Sequence, residues 1–299
     1  MTCYHPIKAF RTPDGVVFHA RHGENVLGDV ELPCGQCIGC RTKRAQAWAV
    51  RITHESQMHE WNCFVTLTYD EANLPGPSLK YSDFQEFMRR LRRWSPSRVR
   101  FFVAGEYGPL NLRPHFHACL FGVDFRDRVP AGRSESGEKW FSSEKLTELW
   151  GKGRASVQDL TFQSAAYCAR YVVDKVTGDA AEDHYRSVDA DGVLTSRVPE
   201  FCRCSLKPGI GLEWLRRFRS DVFPGDFAVL DGTKVAPPKY YWRKLQEWAQ
   251  QERSTVTDEI EFVRQQRAKA AFADNTPERL AVRKQVHKAR VRNQRRSDQ

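Results

Sequence analysis

Residues 113–122 read Arg-Pro-His-Phe-His-Ala-Cys-Leu-Phe-Gly, and this pattern leaves little choice of local structure. Side chains alternate between the faces of a β-strand. His115 and His117 therefore project to one side, and Phe116, Ala118 and Leu120 to the other. Such a strand needs a sheet with an apolar core on one face. Its neighbours supply that sheet: 61–69 is aromatic and β-branched, 99–106 is apolar up to Glu106, and a further strand is expected near 154–160. The turn residues Gly108-Pro109-Leu110-Asn111 would return 115–123 antiparallel to 99–106, bringing Glu106 alongside the histidines.

Helical spacing marks the elements that cover the sheet. Phe84, Phe87, Met88, Leu91 and Trp94 recur on one side of 82–94, with Ser82 or Asp83 as the expected cap. The outer face and the loop beyond it carry Arg89, Arg90, Arg92, Arg93, Arg98 and Arg100, either as a solvated face or as a track for phosphates. Further helices are expected over 41–59, 144–150 and 162–176, after the Pro208-Gly209-Ile210-Gly211 turn, and from Lys239 onward. A hairpin turn, Pro13-Asp14-Gly15, lies within 11–20, while 74–78, 126–140 and 178–200 read as loops. The expected class is α+β: a central antiparallel sheet with flanking helices, a Cys-rich N-terminal segment (1–60), a core (61–225) and a basic helical extension (226–299).

Among 299 residues, 47 Lys and Arg oppose 37 Asp and Glu, a net charge of +10 that favours a polyanionic partner. The last 21 residues alone hold eight Lys or Arg, suited to nonspecific contact with DNA phosphates. The 40% apolar content excludes a wholly disordered chain. No apolar run approaches the ~20 residues of a membrane span, and the N-terminus lacks the apolar segment of a secretory signal. A soluble, intracellular protein is expected.

Nine cysteines without an export signal argue for thiols or metal rather than a disulfide scaffold. Cys34, Cys37 and Cys40 form C-x-x-C-x-x-C, and Cys3 can supply a fourth thiolate for tetrahedral Zn²⁺. An iron–sulfur cluster or free reduced thiols remain open from the same spacing. Cys63, Cys119 and Cys168 sit in apolar elements and read as small core residues, and nothing supports a site at Cys202 and Cys204.

Two further groups carry chemistry. His115, His117 and Glu106 offer two imidazoles and a carboxylate, a set that suits Mg²⁺ or Mn²⁺ with positions left for substrate oxygens. The plainer alternative is two half-exposed histidines on a sheet. In 165–176, Tyr167, Tyr171 and Lys175 share one side of a helix, opposite Ala165, Ala169, Val172 and Val176. Two phenols at i and i+4 are close enough to serve one metal-bound phosphate, with Arg170 or Lys175 easing the developing phenolate. Otherwise they pack at the rim of the core.

In their order along the chain, FVTLTY (64–69), GEYG and RPHFHACLFG (105–122) and AAYCARYVVDK (165–175) closely resemble HUH-type rolling-circle replication initiators. More narrowly, the chain resembles the initiators of gokushovirus-type microviruses over roughly 1–215, including CGQCIGCR and SLKPGIG (205–211). The resemblance implies a nickase that cuts one strand of circular viral DNA at its origin, linking tyrosine to the 5′ phosphate and freeing a 3′ hydroxyl. It implies His115 and His117 as ligands of Mg²⁺ or Mn²⁺ with Glu106 as the third, Phe116 as the bulky apolar residue of the motif, and Tyr167 and Tyr171 as alternating nucleophiles with Lys175 beside them. One departure is Asp174, which precedes Lys175 where a neutral or basic neighbour is expected. Single-stranded and supercoiled origin DNA, together with host helicase and polymerase, are the implied partners, in the host cytoplasm and without a membrane. The reading from another class is a noncatalytic, zinc-stapled protein that binds or packages DNA.

Overall fold

The computed structural model describes residues 3–19, 25–108, 112–133, 137–174, 180–188 and 192–297. In chain order the elements begin with β1 (Ile7–Thr12), β2 (Gly15–Val17), β3 (Gly28–Leu32), α1 (Ile38–Ser56), β4 (Asn62–Tyr69), α2 (Tyr81–Trp94), β5 (Arg100–Tyr107) and β6 (Pro114–Phe121). Next come β7 (Val129–Arg133), β8 (Lys139–Ser142), α3 (Glu144–Trp150), β9 (Gly153–Asp159), α4 (Phe162–Asp174), α5 (Ala180–Tyr185), β10 (Arg186–Val188), β11 (Leu194–Ser196) and β12 (Phe201–Cys204). The rest is α6 (Leu212–Arg217), α7 (Arg219–Val222), β13 (Ala228–Leu230), β14 (Thr233–Val235), α8 (Lys239–Glu252), α9 (Val256–Ala270) and α10 (Pro277–Ser297). The chain divides into two compact units, one of residues 1–44 with 258–298 and one of residues 45–257.

The larger unit is built on an open, antiparallel, seven-stranded sheet in the order β12-β5-β6-β4-β9-β8-β7. Along β4, Cys63, Val65, Leu67 and Tyr69 point into one core with Phe116, Ala118 and Leu120 of β6, and α2 and α3 seal it with Phe84, Phe87, Leu91 and Trp150. The opposite face is also covered. There α4 packs on β5, β6 and β12, and Trp48 of α1 meets Phe102 at 4.8 Å. Burial on both faces explains why β4, β5 and β6 read as nearly continuous apolar runs rather than strict alternations.

The α+β class and the central sheet are as expected, and the 11–20 turn forms the β1–β2 hairpin. Four expectations are corrected. The 126–140 segment is a hairpin, β7 and β8, that extends the sheet. All of β7 is exposed and its register slips between Pro130 and Gly132, so no alternation betrays it. Part of 178–200 is likewise ordered, as α5 and the short β10–β11 pair. Helix α2 begins at Tyr81 without a side-chain cap, because the Asp83 carboxylate instead accepts from Tyr69 Oη at 2.8 Å and pairs with Lys152 at 3.4 Å.

Arg100 is the fourth. It shares its strand face with Phe102 and Ala104, so it is buried rather than part of an outer basic track. Its Nε donates to Glu55 and its Nη2 to the Pro208 carbonyl at 2.8 Å, while Glu55 Oε2 accepts from Gly211 N at 2.6 Å. Gly211 lies at φ +77°, a conformation that favours glycine, which accounts for the PGIG sequence.

The smaller unit holds the sheet β2-β1-β3, the first turns of α1, most of α9, and α10. Pro277 starts α10 after Thr276, whose carbonyl accepts from Leu280 N at 2.9 Å. Among the described residues, no helix is long and apolar enough to cross a membrane.

Candidate active site

The β5–β6 ladder sets Glu106 directly across from His115 and Ala104 across from His117. The β4–β6 ladder sets Thr68 across from His115 and Thr66 across from His117. Residues paired across antiparallel strands share a face, so two threonines, two imidazoles and one carboxylate stand in a row over three strands. The contacts follow that geometry. Thr66 Oγ1 is 3.0 Å from His117 Nδ1, Thr68 Oγ1 is 3.0 Å from His115 Nδ1, and His117 Nε2 is 2.5 Å from Glu106 Oε1.

With both Nδ1 atoms held on the β4 side, the Nε2 atoms turn toward β5. There His115 Nε2 faces Gly108, where a Cβ would lie only 3.0 Å away. The second glycine of GEYG thus keeps this imidazole nitrogen open. Burial, reinforced by His117, lowers the pKa of His115 against the opposing pull of Glu106, favouring the neutral ring that ligates metal. Fixed Nδ1 atoms, an open Nε2 and an adjacent carboxylate fit a divalent cation with oxygen-seeking open positions.

Helix α4 brings the phenol. Ala165, Cys168 and Ala169 are buried on the sheet, as the small-residue stripe predicts, and Cys168 Sγ lies 3.4 Å from the His117 carbonyl. One position before Cys168, Tyr167 is 37% exposed, enough to meet a ligand from solvent. Its ring stands edge-on to His117 at 5.3 Å between centroids, and the Arg170 guanidinium lies 5.3 Å from the Tyr167 ring centre. Phe64 completes the setting, stacked on His117 at 5.7 Å. Glu106, His117 and Tyr167 are therefore brought together, with His115 beside them. The Tyr171 side chain and Lys175 lie outside the described residues. Thr66, Thr68 and Gly108 were not singled out as site residues from the sequence. Their signal is Thr-x-Thr set against His-x-His, visible only once the strand register is known.

The four N-terminal cysteines form a second centre. Their sulfurs all lie within 4.8 Å of one another, with Cys3–Cys34 at 3.6 Å and Cys3–Cys37 at 4.0 Å. Tetrahedral zinc with Zn–S of about 2.3 Å requires sulfurs about 3.8 Å apart, so the group could hold such a metal. Backbone N–H groups of Tyr4, Cys34 and Cys37 already point at sulfurs, each at 3.3 Å. Burial works against the Cys37 thiolate, but amide and thiol hydrogen bonds bring its pKa down to about 7. Burial and the neighbouring thiols push Cys40 up to about 12. Cys63, Cys119 and Cys168 are fully buried core residues.

Residues 62–176, the span from β4 to just beyond α4, match the family described as replication-associated protein ORF2. The chain is 32% identical over 259 residues to replication-associated protein VP4 of Bdellovibrio phage phiMH2K, covering 83% of this chain and 77% of that one. The chain belongs to the replication-associated protein ORF2 family. Replication-associated protein ORF2 of Spiroplasma virus 4 is 27% identical over 303 residues, covering 91% of this chain and 87% of its own. Replication-associated protein ORF4 of Chlamydia phage 1 is 28% identical over 268 residues, or 87% of this chain and 58% of that protein. No solved structure matches. Membership of this family supports a role in starting the replication of a phage genome, and the family match spans every strand and helix of the candidate site.

Proposed function

We propose that this replication-associated protein nicks one strand of circular phage DNA at its origin through tyrosine attack and later rejoins the strand. The observation that carries this reading is Tyr167, half-exposed on α4 and edge-on to His117, whose Nε2 meets Glu106. In the proposed reaction the Tyr167 hydroxyl oxygen bonds to the scissile phosphorus and loses its proton. The bond to the 3′ oxygen breaks, leaving a 5′ phosphotyrosine and a 3′ hydroxyl that host polymerase can extend. His115, His117 and Glu106 would hold Mg²⁺ or Mn²⁺, which would neutralise the nonbridging oxygens and orient the scissile bond. Arg170 stabilises negative charge as it grows on the phenol. Tyr171, one helical turn on, is the proposed second nucleophile for rejoining, with Lys175 beside it. Residues 61–225 form the proposed nuclease core, working on single-stranded and supercoiled origin DNA in the host cytoplasm. The four cysteines are a proposed structural zinc site.

The test is His117→Ala with a labelled origin oligonucleotide. Nicking should vanish while DNA binding persists, because affinity comes mainly from distributed Lys and Arg contacts. Parallel loss of binding and nicking would favour a noncatalytic DNA-binding protein.

A further inference from the structure

The cysteine cluster is tied to the basic C-terminal helix through one imidazole. His287 of α10 places Nδ1 at 2.9 Å from Tyr4 Oη and Nε2 at 3.4 Å from Thr42 Oγ1. Tyr4 follows Cys3, and its amide donates to Cys37 Sγ at 3.3 Å; Thr42 stands two residues after Cys40. One turn back along α10, Lys284 Nζ is 2.7 Å from His5 Nε2.

These contacts join two short basic runs that lie some 240 residues apart in the chain. Arg41-Thr42-Lys43-Arg44 opens α1, and Arg283-Lys284-Gln285-Val286-His287-Lys288-Ala289-Arg290 forms the middle of α10. Together they hold seven Lys or Arg and no Asp or Glu. The Thr42–His287 contact lies at the heart of both, and Lys43, Arg44, Lys288 and Arg290 beside it are exposed. Cations gathered this way repel one another unless something offsets them. Zinc on four thiolates carries a net charge of about −2 and would do so from beneath.

We propose that the four-cysteine centre, with His287 as its clasp, assembles 41–44 and 283–290 into one surface that binds the phosphate backbone of nucleic acid without regard to sequence. The role of zinc in this proposal rests on the structural-zinc reading. The binding surface is independent of the nicking chemistry. Joined in one site, the two runs contact neighbouring phosphates at once, and the second contact gains from the high effective concentration created by the first. Separated, they are two weak sites.

The full-length chain is titrated with labelled oligo-dT, lacking origin sequence and divalent ions, across a range of NaCl concentrations. Lys43→Ala, and separately Lys288→Ala with Arg290→Ala, should flatten the log–log salt dependence by about 0.7 for each phosphate no longer neutralised. The diagnostic variant is His287→Leu, which removes no Lys or Arg. It should weaken binding by about tenfold and flatten the slope as much as the Lys288/Arg290 pair does, with helicity by circular dichroism retained. Chelated wild-type protein should behave like His287→Leu. Wild-type affinity in His287→Leu while the charge variants weaken would overturn the clasp, and wild-type affinity in all variants would overturn the surface. Polyglutamate competing as well as DNA at equal charge would overturn the assignment to nucleic acid. Metal analysis of the same preparations judges zinc separately: protein purified without metal ends the zinc role, and His287→Leu still decides the clasp.

Discussion

The Thr66 hydroxyl sits 3.0 Å from Nδ1 of His117, and Thr68 repeats the contact on His115 one step along the ladder. A hydroxyl can either donate or accept. Without metal, Nε2–H of His117 can donate to Glu106 while Thr66 donates to Nδ1. When Nε2 becomes a ligand, the proton moves to Nδ1 and Thr66 accepts it. The threonines thus serve both tautomers without movement of the rings.

Replacing both threonines by valine keeps their shape and removes that capacity. Mn²⁺ affinity, measured by calorimetry, should fall about 10–100-fold, as for other groups that orient metal-bound imidazoles. Serine at both positions should restore it. Unchanged affinity in the valine variant would show that the hydroxyls do not orient ligands.

A second test concerns the buried pair behind the sheet. Glu55→Ala leaves the Arg100 guanidinium buried without its carboxylate, and Arg100→Ala leaves the reverse, so each should cost about 3–5 kcal/mol. Chemical denaturation of the double variant should show a loss well below the sum of the two. Additive losses would mean that the residues act separately.

Acid stability provides a third. His54 is 3% exposed, stacked on Trp214 at 3.4 Å, and burial pushes its pKa down to about 4 from an ordinary 6.5. As pH falls through 6.5 the unfolded chain takes up a proton that the folded chain refuses until about pH 4. The stabilisation is therefore complete above pH 6.5, erodes across that window and amounts to about 3 kcal/mol. His54→Phe keeps a stacked ring, leaves the Tyr241 hydroxyl without its 3.1 Å partner, and should flatten the decline in Tm between pH 6.5 and 4.5. An unchanged pH dependence would place the acid sensitivity elsewhere.

The sheet centre was legible because its strands are apolar and its turns are marked. The spacing at 82–94 likewise revealed the apolar face of α2. The parts that escaped are held by partners distant in sequence. Strand β12 is four residues long, contains Arg203, and exists because Phe201–Cys204 pairs with Phe102–Gly105. Arg100 looked like surface because charge usually is, and its burial depends on Glu55 and the Pro208 carbonyl. At the site, the His-x-His alternation and the turn after Glu106 pointed to their juxtaposition. The threonines needed the β4–β6 register, which no local pattern specifies.

The most direct measurement is to incubate the protein with labelled single-stranded origin DNA and Mn²⁺ and to map the covalent adduct by mass spectrometry. Phenylalanine at either tyrosine deletes only the hydroxyl, so lost chemistry is not confused with a packing defect. The account predicts an adduct on Tyr167 or Tyr171, some single cleavage in Tyr167→Phe and in Tyr171→Phe, failure of coupled rejoining in each, and no adduct in the double variant. An adduct that survives in the double variant would place the nucleophile elsewhere and contradict the proposed chemistry.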